Sequence, residues 1–317
     1  KLYYNRVYFD VEWLNHKDEV IVTTSVIYGG SVTEPVVDTA PERTGYIFDG
    51  WNVPMEPMPA TKIKAYAKWA PITYKVVFHN GLETAKTSEQ TLTYDANTSL
   101  AVNKFENPGY VFAGWTDNKK TYDDGAIVVN LCDTQDATYN LYAIWTPGQA
   151  SYKIEHYKQN VSGEGYTLAE TTAKSGKTEG QTEAEAKKYE GFTPQTITQK
   201  TVVGDGSTVV EVYYTRNSYS VIWKGADGSV VDTTSVLYGA DIVKTDKVPT
   251  RTGYTFTDWT LPDQAMPDHD VEISSNWTPI TYNVQFNTNF GENKVEGEQT
   301  ITYDVSTALT TNTIVRS

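Results

Sequence analysis

The stretch Gly45-Tyr46-Ile47-Phe48-Asp49-Gly50-Trp51 decides the fold, because close variants of it occur twice more in the 317-residue chain. The variants are Gly109-Tyr110-Val111-Phe112-Ala113-Gly114-Trp115 and Gly253-Tyr254-Thr255-Phe256-Thr257-Asp258-Trp259. A pattern that recurs in this way indicates several copies of one small supersecondary unit, so the fold is predicted copy by copy. We call each of these stretches a Gly-Tyr strand.

A longer frame surrounds each Gly-Tyr strand and repeats with it. A turn that begins with tyrosine precedes the strand, and a fourth such turn stands near the C-terminus. These tyrosine turns are Tyr28-Gly29, Tyr94-Asp95, Tyr238-Gly239 and Tyr303-Asp304. An aromatic run that ends in Trp69, Trp145 or Trp277 follows the strand. Alternation of aromatic and β-branched residues between clusters of Gly, Asn and Asp predicts four strands in each complete copy.

Residues 148–217 keep the length of a copy but lack its pattern. Strand-like runs open and close this segment. Between them, residues 182–189 are predicted to be a helix, because Thr182 and Glu185 have the spacing of a capping box. The prediction for this copy is two strands, a helix and two strands.

The frame predicts five modules in tandem. Module one is residues 1–70, module two 71–147, module three 148–217 and module four 218–278, while 279–317 is the first half of a further module, here called module five. Joints that contain proline leave almost no linker between modules. Five units of about 28 Å in diameter, strung end to end, are expected to form a rod with a radius of gyration of about 40 Å, against about 20 Å for a compact globule of this length.

The aromatic residues of the frame are predicted to form the core, because strand aromatics mostly pack across strand pairs and against a second layer. The predicted core residues are Tyr46, Phe48, Trp51, Trp69, Tyr110, Phe112, Trp115, Trp145, Tyr254, Phe256, Trp259 and Trp277. Three aromatic residues near the N-terminus, Tyr3, Tyr4 and Trp13, are instead candidates to face a ligand, since exposed aromatic patches often mark binding sites.

Charge and composition restrict the classes of partner. The net charge of −14, without a basic stripe, argues against nucleic acid, whose binding draws on clustered Lys and Arg. The sequence contains no run of 18 apolar residues, so it does not predict insertion into a membrane. The one cysteine, Cys132, is expected to be a partly buried small apolar residue, with a reactive or dimerising thiol as the alternative.

No motif in the sequence predicts catalysis, a cofactor or a metal site. The four histidines are scattered through the chain without the spacing of a zinc site. Gly176-Lys177-Thr178 resembles the end of a phosphate loop, but Thr171 stands where its first glycine would be. Paired acids such as Asp123-Asp124 lack the ligand spacing of a calcium loop. The expectation is a chain that is not an enzyme.

The first Gly-Tyr strand resembles part of a known family. Together with Ala65-Tyr66-Ala67-Lys68-Trp69 and the joint Pro71-Ile72-Thr73-Tyr74, it is similar to the Listeria–Bacteroides repeat, also called the internalin B-repeat. Modules two and four and the half module share the pattern, with departures at Asp258 and Asn276. Module three, through Lys188-Tyr189-Glu190-Gly191-Phe192, resembles the mucin-binding-protein-like repeat.

The resemblance implies a fold and a location. It implies small β-grasp, ubiquitin-like units in extracellular bacterial proteins at the cell surface or cell wall. In modules one, two and four, a loop is expected to replace the usual helix. The expected fold class is therefore α+β and strand-dominated, a tandem array of β-grasp modules.

Two functions are compatible with these residues. The first is a structural stalk or spacer that presents an adhesive or effector domain. The second is a multivalent binding array for a host surface protein, glycoprotein or glycan, in which several weak contacts supply avidity. The short joints favour the spacer, and a monomer is expected.

Overall fold

The chain is built from strands throughout the described part of the protein. A computed structural model describes residues 1–37, 40–53, 57–287 and 295–311, and within them it contains 21 strands and no helix. The chain divides into two compact units, Lys1–Ala150 and Ser151–Ser317.

The first unit contains two sheets. Sheet 1 has the order β2-β1-β4-β3, and sheet 2 has the order β6-β5-β11-β8-β9. The strands of sheet 1 are β1 (Tyr8–Leu14), β2 (Val20–Ile27), β3 (Tyr46–Asn52) and β4 (Ile63–Pro71). The strands of sheet 2 are β5 (Thr73–His79), β6 (Thr87–Thr93), β8 (Tyr110–Thr116), β9 (Thr121–Tyr122) and β11 (Thr138–Pro147). A two-stranded ribbon pairs β7 (Thr98–Ser99) with β10 (Ile127–Val128).

The second unit repeats the arrangement. Sheet 3 has the order β13-β12-β15-β14, sheet 4 has the order β17-β16-β19-β18, and a hairpin pairs β20 with β21. The strands of sheet 3 are β12 (Gln149–Gln159), β13 (Tyr166–Lys177), β14 (Phe192–Pro194) and β15 (Val209–Arg216). The remaining strands are β16 (Ser218–Lys224), β17 (Val230–Leu237), β18 (Tyr254–Trp259), β19 (Val271–Pro279), β20 (Thr281–Asn287) and β21 (Val295–Thr302).

All four sheets share one topology. The first two strands form an antiparallel hairpin, the first strand pairs in parallel with the strand that leaves the sheet, and the Gly-Tyr strand or its equivalent pairs antiparallel with that leaving strand. The predicted four-strand frame is confirmed in sheets 1 and 4, and sheet 3 has the four strands predicted for its module without the helix. Sheet 2 adds β9 because its insertion after Trp115 folds back on β8, where Trp115 pairs with Tyr122.

Each core forms between one face of a sheet and the chain that crosses over it. Trp13 in sheet 1, Phe78 in sheet 2 and Trp223 in sheet 4 are fully buried on the first strand, and each contacts the tryptophan of the Gly-Tyr strand. The ring centroids of Trp13 and Trp51 are 5.3 Å apart, and those of Trp223 and Trp259 are 5.2 Å apart. Such edge-to-face pairs add to the gain from burial.

The α+β and β-grasp assignment is not supported, because the described residues contain no helix. The predicted helix at 182–189 is wrong. There Thr182 Oγ1 donates to Gln199 Oε1, which also accepts from the Ala184 amide, and the Glu183 amide donates to Tyr152 Oη. In a helix over these residues the Lys187 amide would donate to the Glu183 carbonyl, but here that amide donates to Tyr214 Oη and that carbonyl accepts from Lys174 Nζ, so the segment crosses the sheet in irregular form.

A buried histidine makes the stability of sheet 3 depend on pH. His156 is 1% exposed, and its Nδ1 lies 2.9 Å from Tyr214 Oη. Burial lowers the pKa of His156, the charge of Lys187 lowers it further, and Glu170 opposes the shift. Because the unfolded chain binds a proton near pH 6.5 and the folded sheet resists it, stability should be complete above that pH and should fall as the pH drops below it.

We therefore expect the amides of β12 and β15 to exchange hydrogen faster at pH 5.5 than at pH 7.5, after correction for intrinsic rates. The variant His156→Gln should reduce this dependence, whereas His269→Gln, at a residue with a 70% exposed side chain, should leave it unchanged. Equal pH dependence in all three proteins would contradict the assignment.

Candidate functional site

At three joints, one linker residue belongs to the hydrogen-bond ladders of two consecutive sheets. The amide of Ile72 donates to the Gly45 carbonyl of sheet 1 at 3.0 Å, and the Ile72 carbonyl accepts from the Tyr94 amide of sheet 2 at 3.0 Å. With both backbone groups bonded on opposite sides, Ile72 has little freedom to act as a hinge.

The same arrangement recurs twice in the second unit. Asn217 donates to the Gly191 carbonyl at 2.9 Å and accepts from the Tyr238 amide at 2.8 Å. Ile280 is bonded in the same way, to Gly253 and Tyr303, with both distances at 2.9 Å. At the end of sheet 2, the Gly148 amide donates to the Gly109 carbonyl at 2.8 Å. The backbone contacts that define such a joint thus involve a glycine, a linker residue and a turn tyrosine.

The tyrosine ring of each tyrosine turn after the first lies directly on the glycine of the preceding Gly-Tyr strand or its equivalent. A Cβ atom built on Gly45 would stand 2.3 Å from the Tyr94 ring, and one on Gly253 would stand 2.4 Å from the Tyr303 ring. These two glycines also have φ of +76°, a left-handed conformation that L side chains rarely adopt. Only glycine meets both requirements.

In the joint between modules one and two, polar and cationic groups contact the side chain of Tyr46. Tyr46 Oη donates to Asp95 Oδ2 at 2.5 Å, and the Arg43 guanidinium lies 3.7 Å from the centroid of the Tyr46 ring. Asn130 Nδ2 donates to Asp95 Oδ1 at 2.7 Å. The hydrogen bond to Asp95 raises the pKa of Tyr46, while the bonds from Tyr46 and Asn130 lower the pKa of Asp95.

The joint between modules four and five has the same composition. Tyr254 Oη donates to Asp304 Oδ2 at 2.8 Å, and Arg251 lies 3.6 Å from the centroid of the Tyr254 ring. The hydrogen bond to Asp304 raises the pKa of Tyr254. Two joints at distant points of the sequence therefore use one set of contacts.

An open cleft of about 810 Å³ lies at the first joint, lined in part by His16, Lys17, Arg43 and Gln135. Its polar groups bond mainly to the protein, as in the bond from the Thr73 amide to Gln135 Oε1 at 3.0 Å. Among the described residues, no group of three or more His, Cys, Asp or Glu side chains could hold a metal ion. The geometry of the cleft is that of a joint between modules.

The predicted core residues take three different positions. Trp51, Trp115 and Trp259 are buried in the cores of sheets 1, 2 and 4. Half-buried rings pack around them, and these are Phe48, Phe112, Phe256, Trp69, Trp145 and Trp277. The tyrosines Tyr46, Tyr110 and Tyr254 are also half-buried, and Tyr46 and Tyr254 contact turn tyrosines across a joint.

One of the three candidates for a ligand-facing aromatic is wrong. Trp13 has no exposed surface, and its Nε1 donates to Thr24 Oγ1 at 2.9 Å inside the core of sheet 1. Its alternation with polar neighbours on β1 places it on the buried face. Tyr3 and Tyr4 are 87% and 86% exposed, and a ligand for them stays a prediction.

Sequence reasoning missed the role of the turn tyrosines in the joints. A usable signal was present, because every tyrosine turn after the first follows an earlier Gly-Tyr or Gly-Phe pair. Cys132 is half-buried against the core of sheet 2, as expected for a small apolar residue. No helix among the described residues is long and apolar enough to cross a membrane.

Small sheets of one topology, joined through shared linker residues, define a tandem β-repeat protein. A model of the Listeria-Bacteroides repeat domain matches residues 7–57, 74–143 and 219–278, together more than half of the chain. The chain belongs to this family. The matched segments fall in sheets 1, 2 and 4.

Comparison with solved structures gives a weak likeness. The crystal structure of two B repeat units of the collagen binding protein of Staphylococcus aureus matches 86% of this chain and 100% of that chain, at 10% identity and a TM-score of 0.12. A TM-score this low carries no argument. None of the curated proteins matches the chain.

The contact between glycine and turn tyrosine can be tested with a matched pair of substitutions. Gly29 has φ of +74° and open space at its Cβ position, so Gly29→Ala incurs only the backbone strain of about 1–2 kcal/mol. Gly45→Ala has the same strain and also clashes with Tyr94, which should add about 1–3 kcal/mol. Urea unfolding followed by tryptophan fluorescence should show this larger loss for Gly45→Ala, and equal losses would refute the contact.

Proposed function

We propose that this chain is a non-catalytic stalk or spacer region of a bacterial surface protein, exposed outside the cell, that presents an adhesive or effector domain. The observation that carries the proposal is the linker residue shared by two sheets, as at Ile72. The chain's membership of the Listeria-Bacteroides repeat family supports this proposal, because the sequence resemblance implies repeated modules at the bacterial surface.

The joint suits a spacer for a physical reason. A spacer holds its ends apart only if its modules resist folding back on one another, so each linker has to lose its freedom. At Ile72 the lost freedom is compensated by two backbone hydrogen bonds and by the Tyr94 ring packed on Gly45. Such a joint needs no ligand to become ordered.

A second candidate function, the binding array, is favoured by one face of sheet 3. Ile154 and His156 point into the core, so their neighbours Glu155 and Tyr157 lie on the opposite face. There the rings of Tyr157 and Tyr213 stack with centroids 5.2 Å apart, and Tyr166 packs edge-on against Tyr213. We call this surface, with Glu155 and Glu211, the tyrosine face.

The acids of the tyrosine face strengthen the case for binding. Glu155 and Glu211 are register partners on neighbouring strands, an unfavourable placement for two like charges. Tyr157 Oη donates to Glu155 Oε2 at 2.6 Å, which raises the pKa of Tyr157 to about 12. Electron-rich rings beside carboxylates suit a sugar ring or a cationic side chain. The mucin-binding-like resemblance of module three agrees with this candidate.

Small-angle scattering tests the spacer. If the five modules string end to end, as the sequence predicts, the radius of gyration of the intact chain should be near 40 Å. The value should be the same at low and high salt, because backbone hydrogen bonds and ring packing hold the joints. A radius of gyration near 20 Å would refute the spacer and leave the binding array as the better proposal.

A binding screen tests the second candidate. The chain should retain a glycan or a host surface protein on an array or in a pull-down, and the double variant Tyr157→Ala/Tyr213→Ala should lose at least tenfold in affinity. Tyr66→Ala, at a tyrosine that is 41% exposed in sheet 1, serves as the control. Equal binding by all three proteins would exclude the tyrosine face as the site.

A further inference from the structure

The joints are of two chemical kinds. In the joints of Gly45 and Gly253, a tyrosine follows the glycine, and an aspartate follows the turn tyrosine and accepts the hydroxyl hydrogen bond. In the joint of Gly191, the glycine is followed by Phe192, which has no hydroxyl, and the turn tyrosine Tyr238 is followed by Gly239. In these three joints, donor and acceptor are thus either both present or both absent, whereas the Gly109-Tyr110 pair is followed by a module without a tyrosine turn.

The backbone shows that the aspartate is retained at a cost. The residue after the turn tyrosine has positive φ in every tyrosine turn: +74° at Gly29, +60° at Asp95, +72° at Gly239 and +60° at Asp304. Glycine adopts this conformation without strain, whereas an aspartate does not. The two aspartates of the tyrosine turns stand only where a tyrosine hydroxyl donates to them.

Arginine completes each kind of joint in a different way. Arg43 and Arg251 stand two residues before the joint glycine and cover the tyrosine that follows it. In the joint of Gly191, Arg216 at the end of β15 lies 4.7 Å from the Phe192 ring centroid, and its Nη1 donates to the Tyr238 carbonyl at 2.7 Å. In this joint, which has no aspartate after the turn tyrosine, the Arg216 guanidinium instead donates to the backbone of the turn.

The two kinds of joint follow the order of the modules. Modules one and four both contain Arg-Thr-Gly-Tyr, at 43–46 and 251–254, and a turn with Tyr-Gly. Modules two and five both contain Glu-Gln-Thr before an apolar residue and Thr-Tyr-Asp, at 89–95 and 298–304. In both of these, the glutamine side chain bridges the same loop: Gln90 bonds Ser99 and Ala101, and Gln299 bonds Ala308 and Thr310.

We infer that the joints are matched pairs that specify which module follows which. A Gly-Tyr pair with an arginine two residues before it packs against a Tyr-Asp turn. A Gly-Phe pair packs against a Tyr-Gly turn. Modules one and two and modules four and five are then equivalent pairs, and module three stands between them. The inference goes beyond the proposed function, since it holds whether the array serves as a spacer or a binder.

A double-mutant cycle in the full chain tests the pair Tyr46 and Asp95. The measured quantity is the hydrogen exchange of the Tyr94 amide, which is bonded to the Ile72 carbonyl and reports opening of the joint. Tyr46→Phe alone should raise opening about threefold to tenfold, the range of one hydrogen bond. In the Asp95→Gly background, which recreates the pair of Phe192 and Gly239, the same substitution should have no effect.

The joint of Gly191 supplies the reciprocal test. Phe192→Tyr and Gly239→Asp introduced together should slow the hydrogen exchange of the Tyr238 amide by more than the sum of the effects of the two single changes. The cycle on Tyr254 and Asp304 should repeat the first result. Independent effects of the two partners in all three cycles would overturn the inference, even if scattering supports an extended chain.

Discussion

The parallel pairing of the first strand with the leaving strand is the constraint on which the rest of each sheet depends. In sheet 1, Val11 pairs with Ile63, and in sheet 4, Val221 pairs with Val271. Because these two central strands run in the same direction, the chain enters a sheet at one end and leaves it at the other. A module with this topology can be followed by another without a long connection.

The same pairing explains where the core forms. Two parallel neighbours cannot be joined by a tight turn, so the chain has to cross one face of the sheet between them. The crossing segment covers the first strand, and Met58 and Met266, both 1% exposed, contribute to the cores at this point in sheets 1 and 4. Large rings such as Trp13 and Trp223 then fill the space that a helix would occupy in a larger domain.

The repeat, the strands and the buried tryptophans could be predicted because each leaves a local pattern. Period-2 alternation identified β3, β8 and β18, and the buried Trp51 followed from its place at the end of one of them. The same alternation on β1, where Val11 and Trp13 alternate with Asp10 and Glu12, also indicated burial of Trp13, and its assignment as a ligand-facing residue overlooked that signal. The helix expected at 182–189 failed because the amide and hydroxyl of Thr182, which a capping box would use, bond instead to Lys200 and Gln199, which are far away in sequence.

Sheet 3 differs from the others in how it uses its aromatic residues. Its core contains Tyr152, Tyr214 and His156 in place of tryptophan, and their polar atoms bond to one another or to the crossing segment. The Lys187 amide, for example, donates to Tyr214 Oη at 2.7 Å. Since these internal bonds already stabilise the module, the rings of the tyrosine face are not needed for its core.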